Sequence, residues 1–259
     1  MYINFSDVDK NNEALVDKKF EIAIYALDMN FSSTLPILSN FCYDVGIEHG
    51  PVVFKDTEIM NNEVVFVVTK FKVKVDRYPE LRENVTIRSW ISPIEHRHAI
   101  RSYLVLDESG NILVRGVCAI NAFNLRERAG VDISVNPNIS KAKTLNIEPP
   151  LTPVFDKLPD VVSPDYESII DVRYFDCDLY QHVTSGKYLL WCIENMPVEF
   201  LKKHRLCEAE INFKRESSLG EKLIVRTCAT SEKNTFLHSI TSEDGSKDLI
   251  RMKSVWRSS

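Results

Sequence analysis

The chain has 259 residues, 44% hydrophobic and 27% charged, which suits one or two globular domains and excludes a disordered polymer. Its net charge of −5 disfavours nucleic acid as a partner, because phosphate binding relies on a basic surface. No apolar run approaches the ~20 residues of a membrane helix, so no membrane association is expected. The first ten residues, Met1–Lys10, lack the charged-then-apolar pattern of a signal peptide, and the expected compartment is the cytoplasm. The six cysteines, at positions 42, 118, 177, 192, 207 and 228, form no Cys-x-x-Cys pair and read as buried thiols.

In chain order, Phe20–Tyr25 alternates and is β-branched, and predicts a strand. A turn at Asp28–Ser33 precedes a helical pattern over Leu35–Val45, with Leu38, Phe41, Cys42 and Val45 on one face and Pro36 in the first turn. Strands are predicted at 64–75, 84–90, 99–106 and 112–123. Residues 136–164 are rich in Pro, Ser, Thr and Lys without periodicity, and read as a connection.

The order then repeats. A strand is expected at 168–174, a turn at 176–184, a helix at 185–194, a short helix at 198–203, and strands at 208–213, 222–229, 235–242 and 249–256. Weak echoes support a duplication: Glu83-Asn-Val-Thr-Ile-Arg-Ser89 against Glu221-Lys-Leu-Ile-Val-Arg-Thr227, and Leu113-Val-Arg115 against Leu249-Ile-Arg251. The expected class is α+β, with an antiparallel sheet wrapped round one central helix per copy. The boundaries expected are a first domain over 1–145, a linker over 146–165 and a second domain over 166–259.

The segment Val172-Arg-Tyr-Phe-Asp-Cys-Asp-Leu-Tyr-Gln-His-Val-Thr-Ser-Gly-Lys-Tyr188 carries the chemistry. It sets Asp176, Asp178 and His182 on a strand-to-helix turn, where helix N-terminal amides point outward and can hold a carbonyl oxygen. An acid and an imidazole at this spacing can activate a water; equally, an Asp before a helix is often only a cap. Glu95-His-Arg-His98 offers no third ligand, and its two imidazoles point to opposite faces if extended, so no metal is expected.

The pattern Asp-x-Asp-x-x-x-His-Val-x-x-x-x-Tyr, followed by an apolar helix ending Glu194-Asn-Met-Pro197, resembles the signature turn of acyl-ACP thioesterases. In the first half, Arg77-Tyr-Pro79, Glu83–Trp90 and Arg101–Gly110 fit the same family. The resemblance implies two tandem hotdog domains, the first shaping an acyl pocket and the second carrying the catalytic turn. It implies hydrolysis of fatty-acyl-ACP, with acyl carrier protein as partner and no cofactor.

Carried over by position, the catalytic residues are Asp178, His182 and Glu216. Tyr180 stands where the family has Asn, Thr184 and Ser185 where it has Asn-Asn, and Ser217 where it has Cys. A Cys nucleophile is therefore excluded at 217, which leaves water attack assisted by Asp178 and Glu216, with His182 and the Tyr180 hydroxyl donating to the carbonyl. Thr184, Ser185 and Ser217 are substrate-contact candidates, and Lys202, Lys203 and Arg205 are candidates for docking an acidic carrier protein or coenzyme A phosphates. Phe175-Asp-Cys-Asp178 also resembles the catalytic turn of hydroxybenzoyl-CoA thioesterases, which work without this Asn. An acyl-CoA thioesterase and a catalytically impaired acyl-binding protein stay open as alternatives, as does a homodimer.

Overall fold

The β-branched runs are strands in the structure, a computed structural model that describes residues 12–59 and 63–259. The Met1–Lys10 stretch, considered for targeting signals, lies outside the described residues. The chain divides into two compact units: the first ends at Val154 and the second begins at Phe155, with Thr34–Ser39 grouped with the second.

The first unit contains β1 (Leu15–Glu21), α1 (Leu35–Phe54) from Asn40 onward, β2 (Val64–Val75), β3 (Asn84–Ile91), β4 (Ala99–Leu106), β5 (Ile112–Asn124) and β6 (Ala129–Val131). The strands are antiparallel in the order β1-β3-β4-β5-β2, and β6 pairs with β5. In β2, Phe71, Val73 and Val75 are buried while the lysines between them are more exposed, the period-2 pattern of a sheet with one covered face. Burying each such side chain contributes roughly 1.5–3 kcal/mol.

α1 runs nine residues past its expected end at Val45. Gly46, Gly50 and Pro51 signal a stop, but packing overrides them. Val53 and Phe54 are fully buried, and Phe54 stacks on Phe66 with ring centroids 4.4 Å apart. Gly46 is required by close approach: a Cβ there would lie 2.7 Å from the Tyr103 hydroxyl.

The second unit contains β7 (Tyr166–Asp171), α2 (Ser185–Glu194), α3 (Val198–Leu201), β8 (His204–Phe213), β9 (Lys222–Ala229), β10 (Thr235–Ser242) and β11 (Asp248–Ser258). Its order is β7-β9-β10-β11-β8, again antiparallel, so the two units repeat one plan. β1 and β7 both start and end earlier than the sequence suggests. Each leads into a 3-10 turn, at Ile24–Ala26 and Tyr174–Asp176, whose aromatic and β-branched residues imitate a continuing strand. β1 itself, with Asp17, Lys18 and Lys19, has the charged look of an edge strand.

The core of the second unit holds a closed polar network. Asn195, just past α2, donates to Thr227 Oγ1 at 2.9 Å and to the Tyr166 carbonyl at 3.2 Å, pinning the helix end to β7 and β9. Thr227 Oγ1 also bonds His238 Nδ1 at 2.9 Å, while His238 Nε2 bonds Ser254 Oγ at 2.8 Å. Each ring nitrogen thus faces a hydroxyl, which can donate or accept, and the buried ring is neutral with one nitrogen donating and the other accepting. Burial drives its pKa down to about 3.

Candidate active site

The turn between β7 and α2 is closed by its own backbone. Asp178 N–H donates to the His182 carbonyl at 2.9 Å, and Gln181 N–H donates to the Asp178 carbonyl at 2.9 Å. Gln181 takes a left-handed φ of +65°, a position a β-branched residue would resist. Asp178 Oδ1 accepts from the N–H groups of Tyr180 at 2.9 Å and His182 at 3.4 Å. The carboxylate thus braces the turn, as Asp does in many tight turns.

The turn is anchored at both ends. Asp176 accepts the Arg173 N–H at 2.8 Å and pairs with Lys187 of α2 at 2.9 Å, while its carbonyl accepts from Thr184 N–H at 3.0 Å. Val183 N–H donates to the Ser217 carbonyl at 3.0 Å, and His182 bridges to Ser218 in antiparallel fashion. That bridging brings two residues 34 positions apart in sequence into contact: His182 Nδ1 lies 3.3 Å from Glu216 Oε2, with side chains 39% and 59% exposed. When Nδ1–H donates to the carboxylate, the lone pair of the ring sits on Nε2.

Ser217 was expected at the substrate. It is instead completely buried, 0% exposed, with its hydroxyl 2.6 Å from the Tyr188 hydroxyl. The Ser217 N–H also donates to that Tyr188 oxygen, at 3.0 Å. Its neighbours Glu216 and Ser218 face the turn, so alternation along the extended segment turns the Ser217 side chain into the core. Tyr188 is the residue the sequence reading missed as part of the site. The available signal was a Tyr on an apolar helix face, because a buried phenol needs a hydrogen-bond partner.

Tyr180 is 61% exposed, and among the described residues its hydroxyl bonds none of Asp178, His182 or Glu216. Thr184 precedes the first residue of α2 and makes no side-chain cap, and Ser185 is the first helical residue; both are half-buried. Lys202 and Lys203 lie between α3 and β8 and Arg205 is the second residue of β8; Lys202 is held by Glu199 at 2.7 Å and Arg205 donates to the His204 carbonyl at 3.3 Å. Among the described residues, no three His, Cys, Asp or Glu side chains converge as a metal site would require, and no helix is long and apolar enough to cross a membrane.

Residues 13–134 match the acyl-ACP thioesterase N-terminal domain, and residues 162–258 match the acyl-ACP thioesterase C-terminal domain. The chain belongs to the acyl-ACP thioesterase family. A chloroplastic acyl-[acyl-carrier-protein] hydrolase of Cuphea viscosissima is 25% identical over 84% of this chain, and a chloroplastic dodecanoyl-[acyl-carrier-protein] hydrolase of Cinnamomum camphora is 24% identical over 93%. The chain spans 54% of the length of that Cuphea relative and 67% of the Cinnamomum one. Among solved structures, the acyl-ACP thioesterase from Bacteroides thetaiotaomicron superposes with a TM-score of 0.83 at 18% identity, covering 94% of this chain and 98% of that one. The 12:0-ACP thioesterase from Umbellularia californica gives a TM-score of 0.81 at 22% identity, covering 95% and 98%. The fold of this family member is therefore the α+β hotdog type, present as two units in tandem.

Proposed function

We propose that this thioesterase-family chain hydrolyses fatty-acyl thioesters borne on acyl carrier protein and releases free fatty acid. The observation that carries this reading is the pairing of His182 with Glu216 on a turn braced by Asp178. Glu216 fixes the imidazole so that Nε2 accepts a proton from water. Water oxygen bonds the acyl carbon, its proton passes to Nε2, the C–S bond breaks, and the thiolate leaves with that proton. The first N–H groups of α2, at Ser185 and Gly186, have no intrahelical partner and suit the carbonyl oxygen as charge develops there. Thr184 and Ser185 flank that position.

Asp178 holds the turn, and its negative charge sits on the same short turn as the imidazole that becomes cationic. Compared with the expectation from sequence alone, the work of activating water shifts from the two carboxylates to His182, because the Glu216 carboxylate is spent on the ring and Asp178 Oδ1 on two amides. Carrier protein docks, in this proposal, through the cationic run Lys202, Lys203 and Arg205. The six free cysteines accord with a reducing compartment such as the cytosol.

The test is a panel of acyl-ACP and acyl-CoA substrates of graded chain length, with Asp178→Asn and Glu216→Gln as controls. Expected is turnover of acyl-ACP that falls ~10²-fold or more in Glu216→Gln. The exposed Tyr180, in place of an amide, favours a second reading: an acyl-binding protein that no longer hydrolyses. Tight binding of acyl-ACP with no release of fatty acid establishes that alternative, and turnover of acyl-CoA alone overturns the carrier-protein assignment.

A further inference from the structure

The turn that carries His182 is tied to α2 by an ion pair that the matching turn before α1 does not have. The 3-10 turns Tyr174–Asp176 and Ile24–Ala26 correspond, as do the helix starts at Ser185 and Leu35. By that register Asp176 stands where Ala26 stands, and Lys187 where Ile37 stands. Ala26 and Ile37 carry no charge, yet the turn before α1 still closes through its own backbone, with Asp28 N–H donating to the Ser32 carbonyl at 3.0 Å. Closing such a turn therefore does not require the pair.

Asp176 gathers three segments at one place. Its Oδ2 accepts the Arg173 N–H at 2.8 Å, just past β7, and its carbonyl accepts the Thr184 N–H at 3.0 Å, where the turn ends. Its Oδ1 lies 2.9 Å from Lys187 Nζ, in the first turn of α2. With side chains 14% and 35% exposed, the pair is screened less by salt and water than one on open surface. The needs of the helix do not account for Lys187. The first turn is the positive end of the helix dipole, where a cation is disfavoured. α2 opens with Ser-Gly-Lys where α1 opens with Leu-Pro-Ile. Pro36 has no N–H, whereas Gly186 offers one with no side chain to cover it. Helical side chains lean towards the N-terminus, and this carries the Lys187 ammonium back along the first turn to Asp176.

We infer that Lys187 is a positioning residue for the hydrolysis proposed above, on which this inference rests. Through Asp176 it fixes the first turn of α2 against the His182 turn. The Ser185 and Gly186 N–H groups then reach the carbonyl oxygen while His182 Nε2 reaches the attacking water. Lys187 itself touches neither the water nor the thioester.

Steady-state hydrolysis of acyl-ACP by the full chain tests this, with kcat and KM read separately and the thermal midpoint measured alongside. Lys187→Met and Asp176→Asn are each expected to lower kcat about ten-fold through misplacement of the reacting groups. KM and the midpoint should hold, because a partly exposed pair stabilises little and the Asn amide still offers an acceptor to Arg173 N–H. The double variant is expected to be no slower than the slower single one, since the two residues act as one clip. Lys187→Arg keeps a cation within reach of Asp176 and is expected to recover most of the rate. Unchanged kcat in Lys187→Met, losses that multiply in the double variant, or no recovery in Lys187→Arg overturns the inference. So does failure of a variant to fold, or a fall in kcat that only tracks a lowered midpoint, because either marks a purely structural clip. If His182→Ala is slow while Lys187→Met matches the wild type, this inference alone fails. If the wild type hydrolyses no acyl thioester, the hydrolytic reading fails and this one falls with it.

Discussion

The turn before α1 and the turn before α2 are the same object carrying different side chains. Asp28 N–H donates to the Ser32 carbonyl at 3.0 Å and Phe31 N–H to the Asp28 carbonyl at 3.1 Å, as Asp178 and Gln181 do in the second unit. Asp28 Oδ1 accepts the Asn30 N–H at 2.8 Å, matching Asp178 and Tyr180. Phe31 takes φ +60° where Gln181 takes +65°. Ser33 N–H donates to the Pro79 carbonyl at 3.0 Å as Val183 N–H does to that of Ser217, and Ser32 bridges to Glu80 as His182 does to Ser218. By this correspondence, Ser32 and Tyr78 stand where His182 and Glu216 stand.

The braced Asp is therefore a folding device common to both units. Only the second turn carries an imidazole paired with a carboxylate. The anchoring differs for a physical reason as well. Pro79 has no N–H, and the buried Leu38 lies where Tyr188 lies; Ser217 does have an N–H, and Tyr188 is there to accept it.

The largest effect expected of this comparison is on catalysis. His182→Ala should lower the acyl-ACP hydrolysis rate ~10²–10³-fold, while Ser32→Ala at the matching place leaves kcat unchanged. Equal losses in the two variants would mean that the turns do not differ in chemistry. Next, Tyr188→Phe strips the buried Ser217 N–H and hydroxyl of their partner. It should destabilise the protein by about 1–3 kcal/mol in urea unfolding, with a several-fold fall in kcat as the Glu216 segment loosens. Leu38→Phe at the matching place offers no such bond to lose, and any cost there arises from overpacking alone.

A third prediction contrasts the buried histidines. His238 is held neutral with its pKa at about 3 and His49 with its pKa at about 4, in both cases chiefly by burial. Below pH ~6.5 the unfolded chain takes up protons that the folded chain refuses. Stability therefore rises with pH up to about 6.5 and is lost as pH falls below it, by on the order of a few kcal/mol towards pH 4. His238→Gln should flatten this acid arm of the urea midpoint against pH; an unchanged slope would show that His238 is not the proton acceptor.

Two smaller effects sharpen the role of the shared acid. Asp178→Asn retains an Oδ1 that accepts both amides and removes only the charge, so a ~10-fold slower hydrolysis at unchanged thermal midpoint is expected. Asp28→Asn should alter neither rate nor midpoint. Smallest of all, Tyr180→Phe should change the rate less than three-fold, on the order of 0.5 kcal/mol, since its hydroxyl is not bonded to the site; a marked loss would instead establish the phenol as a carbonyl donor.

Local pattern determined a great deal about this protein. Strands 64–75, 99–106, 222–229 and 235–242, and helix 185–194, lie in the structure where the local pattern puts them, because most bury one face along their own length while 99–106 is a short apolar run buried on both. The duplication was legible in short echoes, and the candidates Asp178 and His182 in one turn motif, whereas Glu216 came only from the family resemblance. Packing between distant segments decided the rest. α1 continues through Gly46, Gly50 and Pro51 because Tyr103 and Phe66 receive it. Ser217 faces Tyr188 because the segment 216–218 is laid against the turn, which sets the alternation of its side chains. The union of His182 with Glu216 and the identity of the two braced turns both depend on which segments lie side by side. A linear sequence states neighbours along the chain, whereas hydrogen-bond partners and counter-charges are neighbours in space.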